Sequence, residues 1–133
     1  MARLAQRASS TSAATSRCAV NTCSAASLSG GRAGCAYTVS KHGLLGLTRS
    51  IAWYYGDQGI RCNAIAPGAI QTKMHMREVP HAGGLKKYGT YFPTIPKHGK
   101  AMAVAETALF LASDAASYVN GEILSVDGGW NAF

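Results

Sequence analysis

The period of the hydrophobic positions changes several times along the chain, and each change marks an element. From Tyr37 to about Gly56 the apolar residues recur at helical spacing, with Leu44, Leu47 and Ile51 in one stripe and Leu45, Thr48 and Ala52 beside it. Gly43 and Gly46 each lower helix propensity by about 1 kcal/mol relative to Ala, and their missing side chains are expected to admit a close neighbour. Asp57-Gln58, between Gly56 and Gly59, ends the helix. The run Ile60-Arg61-Cys62-Asn63-Ala64-Ile65-Ala66 reads as a strand whose rough alternation suits cover on both faces, and Pro67-Gly68 breaks it. Upstream, Ala19-Val20-Asn21-Thr22-Cys23 reads as a weaker strand that leads into a loop from Ser24 to Ala36. Downstream, residues 73–100 show no clear period and read as a loop or short-helix excursion that caps a site. Ala101 to Ala112 is a predicted helix with Met102, Ala105 and Leu109 inward, joined by Ala108 and Ala112. Tyr118-Val119-Asn120-Gly121 is a turn, Glu122 to Val126 a last strand, and Asp127-Gly128-Gly129 its end. Helix, short turn and strand in this rhythm predict an α/β fold with a parallel sheet.

Composition narrows the class. A chain of 133 residues, 47% hydrophobic and 14% charged, is long enough for one core and too apolar to be mainly disordered. The net charge of +7 invites a nucleic-acid reading, but its distribution argues against one. Residues 1–56 carry six Arg/Lys and no acid, thinly spread, whereas residues 57–133 carry seven basic and six acidic residues, a net of +1. Nucleic acid is therefore not an expected partner. Cys18, Cys23, Cys35 and Cys62 form no C-x-x-C pair and no zinc spacing, so reduced cysteines and no metal are expected. No run approaches the roughly 18 apolar residues of a membrane span. Residues 1–18 are rich in Ala, Ser and Thr, carry three arginines and lack acids. They read as a disordered tail, a wrongly joined first exon, or a transit-like targeting segment.

Candidate chemistry lies at the start of the long helix. Tyr37 and Lys41 are four residues apart, so at about 3.6 residues per turn the phenol and the ammonium share a face. An ammonium beside a phenol favours the phenolate and makes a proton donor and acceptor usable near neutral pH. An exposed helix start would show the same pair. Gly30-Gly31-Arg32-Ala33-Gly34 is neither a dinucleotide fingerprint nor a phosphate loop, and is read only as a flexible connector.

Four ordered pieces together resemble one family. Ser24 lies thirteen residues before Tyr37, Tyr37-x-x-x-Lys41 opens a long helix, Asn63-Ala64-Ile65-Ala66-Pro67-Gly68-Ala69-Ile70-Gln71-Thr72 follows a strand, and Asn120-Gly121 with Val126-Asp127-Gly128-Gly129 closes the chain. Over residues 19–133 this is similar to the C-terminal half of the short-chain dehydrogenases/reductases, with 3-oxoacyl-carrier-protein reductases and sugar dehydrogenases among the members it resembles. The resemblance implies the C-terminal portion of a Rossmann-type doubly wound parallel sheet. It also implies NAD or NADP as cofactor, and an alcohol or ketone as substrate. Tyr37 would be the acid/base. Lys41 would hold the nicotinamide ribose, and Ser24 would hydrogen-bond the substrate oxygen. Pro67-Gly68 would turn the chain toward the nicotinamide, Ile70 would offer its backbone to the carboxamide, and Thr72 its hydroxyl to carboxamide or pyrophosphate. Asn63 is expected to be structural and His42 an ordinary helix residue. His75, His81 and His98 fall in the expected lid, where Met74, Met76, Tyr88, Tyr91 and Phe92 would line a pocket or pack on one another.

The chain departs from the family in one large respect. The Thr-Gly-x-x-x-Gly-x-Gly turn that cradles the pyrophosphate, the residue that chooses between NAD and NADP, and the Asn-Ala-Gly segment are not found. The expectation is a truncated form, lacking the N-terminal nucleotide-binding half, with impaired cofactor binding. The alternative is a non-catalytic fragment that pairs with a full-length paralogue through its long helix and last strand, since the family resembled is oligomeric. A cytoplasmic location is expected, with a mitochondrial one if residues 1–18 are a targeting segment.

Overall fold

The run of small and β-branched residues from Ile60 to Ala66 becomes the middle of the molecule. A computed structural model describes residues 17–74, 81–90 and 92–132 of the chain. Its elements are β1 (Arg17–Thr22), α1 (Cys35–Tyr55), β2 (Ile60–Pro67), β3 (Ile70–Gln71), α2 (Ala82–Tyr88), β4 (Gly99–Lys100), α3 (Ala101–Ala112) and β5 (Ile123–Val126). Residues 1–16, and with them most of the segment set apart in the sequence, lie outside the described residues, as do His75, Met76 and Tyr91. β1 starts at Arg17 rather than Ala19, so that boundary falls two residues earlier than expected.

β1, β2 and β5 form one sheet in the order β1-β2-β5, every neighbour parallel. Arg17 pairs with Ile60 and Thr22 with Ile65 on one side of β2, while Ala64 pairs with Ile123 and Pro67 with Val126 on the other. β2 is buried from Arg61 to Ala66, as a strand covered on both faces must be. Successive side chains alternate between the faces. Ala64 and Ala66, with Cys23, pack against Leu44 and Leu45 of α1. Arg61 and Asn63 point the other way, to the end of α3 and the loop after it.

The buried stripe of α1 is one position away from the predicted one. Thr48 is fully buried with Leu44 and Leu45 beside it, whereas Leu47 is exposed. Thr48 can be interior because its hydroxyl is satisfied twice: it donates to the Leu44 carbonyl at 2.7 Å and accepts from Asn21 Nδ2 at 2.9 Å. Gly43 and Gly46 have nothing within 4 Å of where a Cβ would stand, so the close neighbour expected there is not found among the described residues. The helix stops where Gly59 adopts φ +74°, a left-handed turn that a side chain resists.

α3 differs from expectation for the same reason. Met102 and Leu109 are exposed, and the inward positions are Val104, Thr107, Ala108 and Leu111. A helix that is apolar almost all round offers two adjacent stripes, and Thr107 joins the inner one by donating its hydroxyl to the Ala103 carbonyl at 2.8 Å. The excursion at 73–100 holds α2 and two residues of strand, β4, which pair in parallel with β3.

Arg61 is 7% exposed, and it donates to three main-chain carbonyls: Leu111 at 2.9 Å, Val119 at 3.3 Å and Ser113 at 3.1 Å. It neutralises the carbonyl end of α3, where a cation is favoured by the helix dipole. Arg61→Met leaves those acceptors buried without their donor, and is expected to lower the unfolding free energy by about 2–4 kcal/mol in urea titration. A change below about 0.5 kcal/mol would show that the acceptors find other donors and that Arg61 does not hold this corner.

Candidate functional site

The site residues gather at the carboxyl end of the parallel sheet, the end where open α/β sheets bind ligands. The Cys23 amide donates to the Ile65 carbonyl at 2.8 Å, which prolongs β1 by one residue and delivers Ser24 beside the end of β2. Ser24 then caps the short 3-10 turn Ala25–Ser27. Its Oγ accepts the Ala26 amide at 3.2 Å, and its own amide donates to Ser27 Oγ at 3.0 Å. This reciprocal capping box fixes the Ser24 side chain, and among the described residues nothing accepts its hydroxyl proton. Ser27, fully buried, supports Ser24 and is not singled out by the sequence, where the Ser-x-x-Ser spacing was the available signal.

Tyr37 is the third residue of α1 and is 40% exposed. Lys41 stands one turn further on. Its Nζ lies 5.7 Å from the Tyr37 ring centroid and donates to the Thr22 carbonyl at 2.9 Å. The ammonium is thus pinned between the last residue of β1 and the phenol, with two of its three protons unused by that bond. Its charge reaches the neighbouring thiol as well. Burial pushes the Cys23 thiol up, while the Ser27 hydroxyl and the Lys41 charge pull it back. The 3-10 turn after Ser24 packs on α1, so Ser24, Tyr37 and Lys41 share one corner, although no hydrogen bond joins the three side chains among the described residues.

Pro67 ends β2, and Gly68 donates its amide to the Val126 carbonyl at 3.1 Å. A Cβ on Gly68 would lie 2.7 Å from the Cβ of Asp127 and 2.8 Å from its Cα, so only glycine lets the turn rest on the end of β5. The Asp127 carboxylate is itself held by the amides of Gly129 and Asn131 and by the Asn131 side chain. Ile70 lies in β3, where the bond to β4 runs from the Gly99 amide to the Ala69 carbonyl at 2.9 Å and leaves the Ile70 amide and carbonyl out of it. Thr72 is exposed, and its Oγ1 accepts the Met74 amide at 3.2 Å. These four residues stand at the same end of the sheet as the Ser24 corner, with no hydrogen bond to it among the described residues.

Asn63 proves structural. Fully buried, it donates to the Val119 carbonyl at 2.8 Å and accepts the Glu122 amide at 2.9 Å. His42 Nδ1 lies 2.9 Å from the Thr38 carbonyl within its own helix. His81 precedes α2, His98 is exposed, and Tyr88 and Phe92 pack edge-to-face at 4.9 Å. Among the described residues, no three His, Cys, Asp or Glu side chains gather as a metal site, and no helix is long and apolar enough to cross a membrane.

The four cysteines are free thiols, of which Cys35 is exposed and Cys23 and Cys62 are buried. Burial is the main cause that raises both buried thiols. A raised thiol favours the protonated folded state below the ordinary thiol value, and that stability is lost as pH climbs through the raised one. Iodoacetamide at about pH 8 is therefore expected to modify Cys35 first and leave Cys23 and Cys62 intact until urea unfolds the chain. Mass mapping that finds Cys23 modified as fast as Cys35 would contradict this burial.

Comparison with known proteins bears on the whole arrangement. Residues 1–131 match the family model described as enoyl-(acyl carrier protein) reductase. The chain is 46% identical over 116 residues to 3beta-hydroxysteroid dehydrogenase 2 of Eggerthella lenta, a match that spans 86% of this chain and 44% of that protein. Among solved structures, an Agrobacterium tumefaciens protein assigned as a 2-deoxy-D-gluconate 3-dehydrogenase, with NADP bound, superposes with a TM-score of 0.69 at 38% identity. That match covers 87% of this chain and 47% of the other. 4-Hydroxyisoleucine dehydrogenase in complex with NADH also gives 0.69, at 30% identity, over 87% of this chain and 47% of its own. The chain spans about half the length of the relatives it matches.

Proposed function

Because this chain belongs to the short-chain dehydrogenase/reductase family, we propose that its site serves hydride transfer between a nicotinamide, NAD or NADP, and a secondary alcohol or ketone. The observation that carries the reading is the Lys41 ammonium, seated between the Thr22 carbonyl and the Tyr37 ring at the carboxyl end of a parallel sheet. Tyr37 gives its proton to the carbonyl oxygen in reduction and recovers it in oxidation. Lys41, anchored by one bond, has two protons for the ribose hydroxyls. Ser24, with its rotamer set by the Ala26 amide and its main chain by Ser27, donates to the substrate oxygen and orients it. Pro67-Gly68 sets the course of the chain past the nicotinamide, Ile70 offers its backbone groups to the carboxamide, and Thr72 its hydroxyl. A nicotinamide, when bound, supplies or accepts the hydride.

These residues suit the nicotinamide end of the cofactor. The 133 residues contain no Thr-Gly-x-x-x-Gly-x-Gly run to cradle the pyrophosphate. We therefore expect this chain alone to bind NADH and NADPH more weakly than micromolar, and calorimetric titration that finds micromolar affinity would overturn that. At millimolar cofactor, alcohol-dependent NAD(P)H formation is expected to fall by about 10²–10⁴-fold in Tyr37→Phe with the fold unchanged by circular dichroism. Equal turnover in the wild type and Tyr37→Phe would refute the acid/base role.

A second reading is favoured by a different observation. The outer face of α1 leaves Trp53 82% and Tyr54 73% exposed, with Leu47 and Val39 along it, and α3 exposes Met102, Leu109 and Phe110. Apolar faces of this kind mark association sites. The chain in this reading pairs through α1 and α3 with a second copy or with a full-length relative. Light scattering on the eluted chain is expected to show a species heavier than 13.9 kDa, lost in Trp53→Asp. A folded monomer at high concentration, with no capture of a full-length relative, would sink this reading.

A further inference from the structure

Arg32, in the loop between Ser24 and α1, is not part of the reaction chemistry above, yet among the described residues it makes the hydrogen bond of longest sequence separation, 98 residues. Its guanidinium carbon stands 4.1 Å over the Trp130 ring, its Nη2 donates to the Trp130 carbonyl at 2.9 Å, and its Nε donates to Ser29 Oγ at 2.8 Å. Trp130 is 6% exposed, and on its other edge Nε1 donates to Thr94 Oγ1 at 3.2 Å. Thr94 closes the 3-10 turn Phe92–Thr94 that follows α2. One indole thus touches the Ser24 loop through Arg32 and the lid segment through Thr94, and belongs itself to the turn after β5.

A second contact reinforces the same junction. Gly128 adopts φ +65°, and a Cβ built there would meet Pro96 Cβ at 3.3 Å, so the turn after β5 lies close against the end of the lid segment. α2 supplies little hold of its own: it buries no residue and has no side-chain cap. The planar donor geometry of Arg suits it better than Lys to stack on an indole and hydrogen-bond at once.

We propose that Arg32 and Trp130 form a latch that seats the turn Phe92–Thr94 at the carboxyl end of the sheet, with Arg32 as a positioning residue that couples the Ser24 loop to that turn. The latch is independent of the reaction class, so its test reads main-chain opening and indole environment rather than turnover. A failure of the hydride-transfer reading leaves that test intact.

Hydrogen exchange on the full chain distinguishes the latch from general stability. In Arg32→Lys, which keeps the charge and loses the fork and the stack, exchange over 82–95 and 127–131 is expected to rise by about tenfold. α1 and β2 should stay as slow as in the wild type. Trp130→Phe keeps a ring for Arg32 and loses the bond to Thr94, so it should free 82–95 and leave Ser29 to Arg32 protected; Thr94→Val should match it. In a Trp53→Phe background, where Trp130 is the sole indole, Arg32→Lys should shift emission to the red and raise acrylamide quenching. Unchanged exchange over 82–95 in Arg32→Lys overturns the latch. So does acceleration that extends equally to β2, which would make Arg32 a residue of fold stability alone.

Discussion

Everything in this molecule depends on a strand that is buried yet partly polar. β2 lies between two parallel neighbours, with helices over both faces, and still carries Arg61 and Asn63 in its interior. Buried polar groups must be satisfied, and here their partners are main-chain groups of other elements. Arg61 gathers the carbonyls at the end of α3, and Asn63 ties the segment before β5 on both sides. Just before β5, Asn120 and Gly121 extend the ladder: the Cys62 amide donates to Asn120 Oδ1, and the Gly121 amide donates to the Cys62 carbonyl. Asn120 Nδ2 then reaches the Ala52 carbonyl of α1 at 3.2 Å. The helices are located by hydrogen-bonding demand as much as by apolar contact.

The candidate corner around Ser24, Tyr37 and Lys41 inherits its order from the same sheet. Thr22, at the end of β1, carries the carbonyl that holds Lys41, and Cys23 extends the strand to place Ser24. A cation held by a carbonyl rather than by a carboxylate is not neutralised by its anchor, and among the described residues no acidic side chain pairs with Lys41. This separates Lys41 from an ordinary surface lysine, which would point into water and pair transiently.

Much of this was legible in the residues, and the misses have physical causes. The long helix, the Ile60 strand, the Ala101–Ala112 helix and the last strand follow from period and from Gly and Pro punctuation, and they stand where expected. Their facing stripes were harder. Leu47 in α1 and Leu109 in α3 are as apolar as their buried neighbours, and the decision was made by threonines whose hydroxyls find carbonyls one turn back, which no hydrophobic count registers. β3 and β4 are two residues each, too short for any period. Ser24, Tyr37 and Lys41 could be singled out because their spacing is local. Arg32 and Trp130 are 98 residues apart, and only folding shows that they meet. Arg32 had been read as part of a flexible connector, whereas its guanidinium is engaged on two sides.

The turn at Gly68 has a consequence for the order of events in folding. Its shape is defined against Asp127, 59 residues later, and the neighbouring contacts of Cys62 and Asn63 also reach 56 to 59 residues ahead. Contacts of such separation require the closure of long loops before any stabilisation is returned. α1 can form early from its own residues, with Tyr37 and Lys41 already on one face. The floor beside them cannot take shape until β5 has docked against β2. The Tyr37 and Lys41 pair is thus a local product of helix formation, whereas the surface beside it depends on contacts that close long loops.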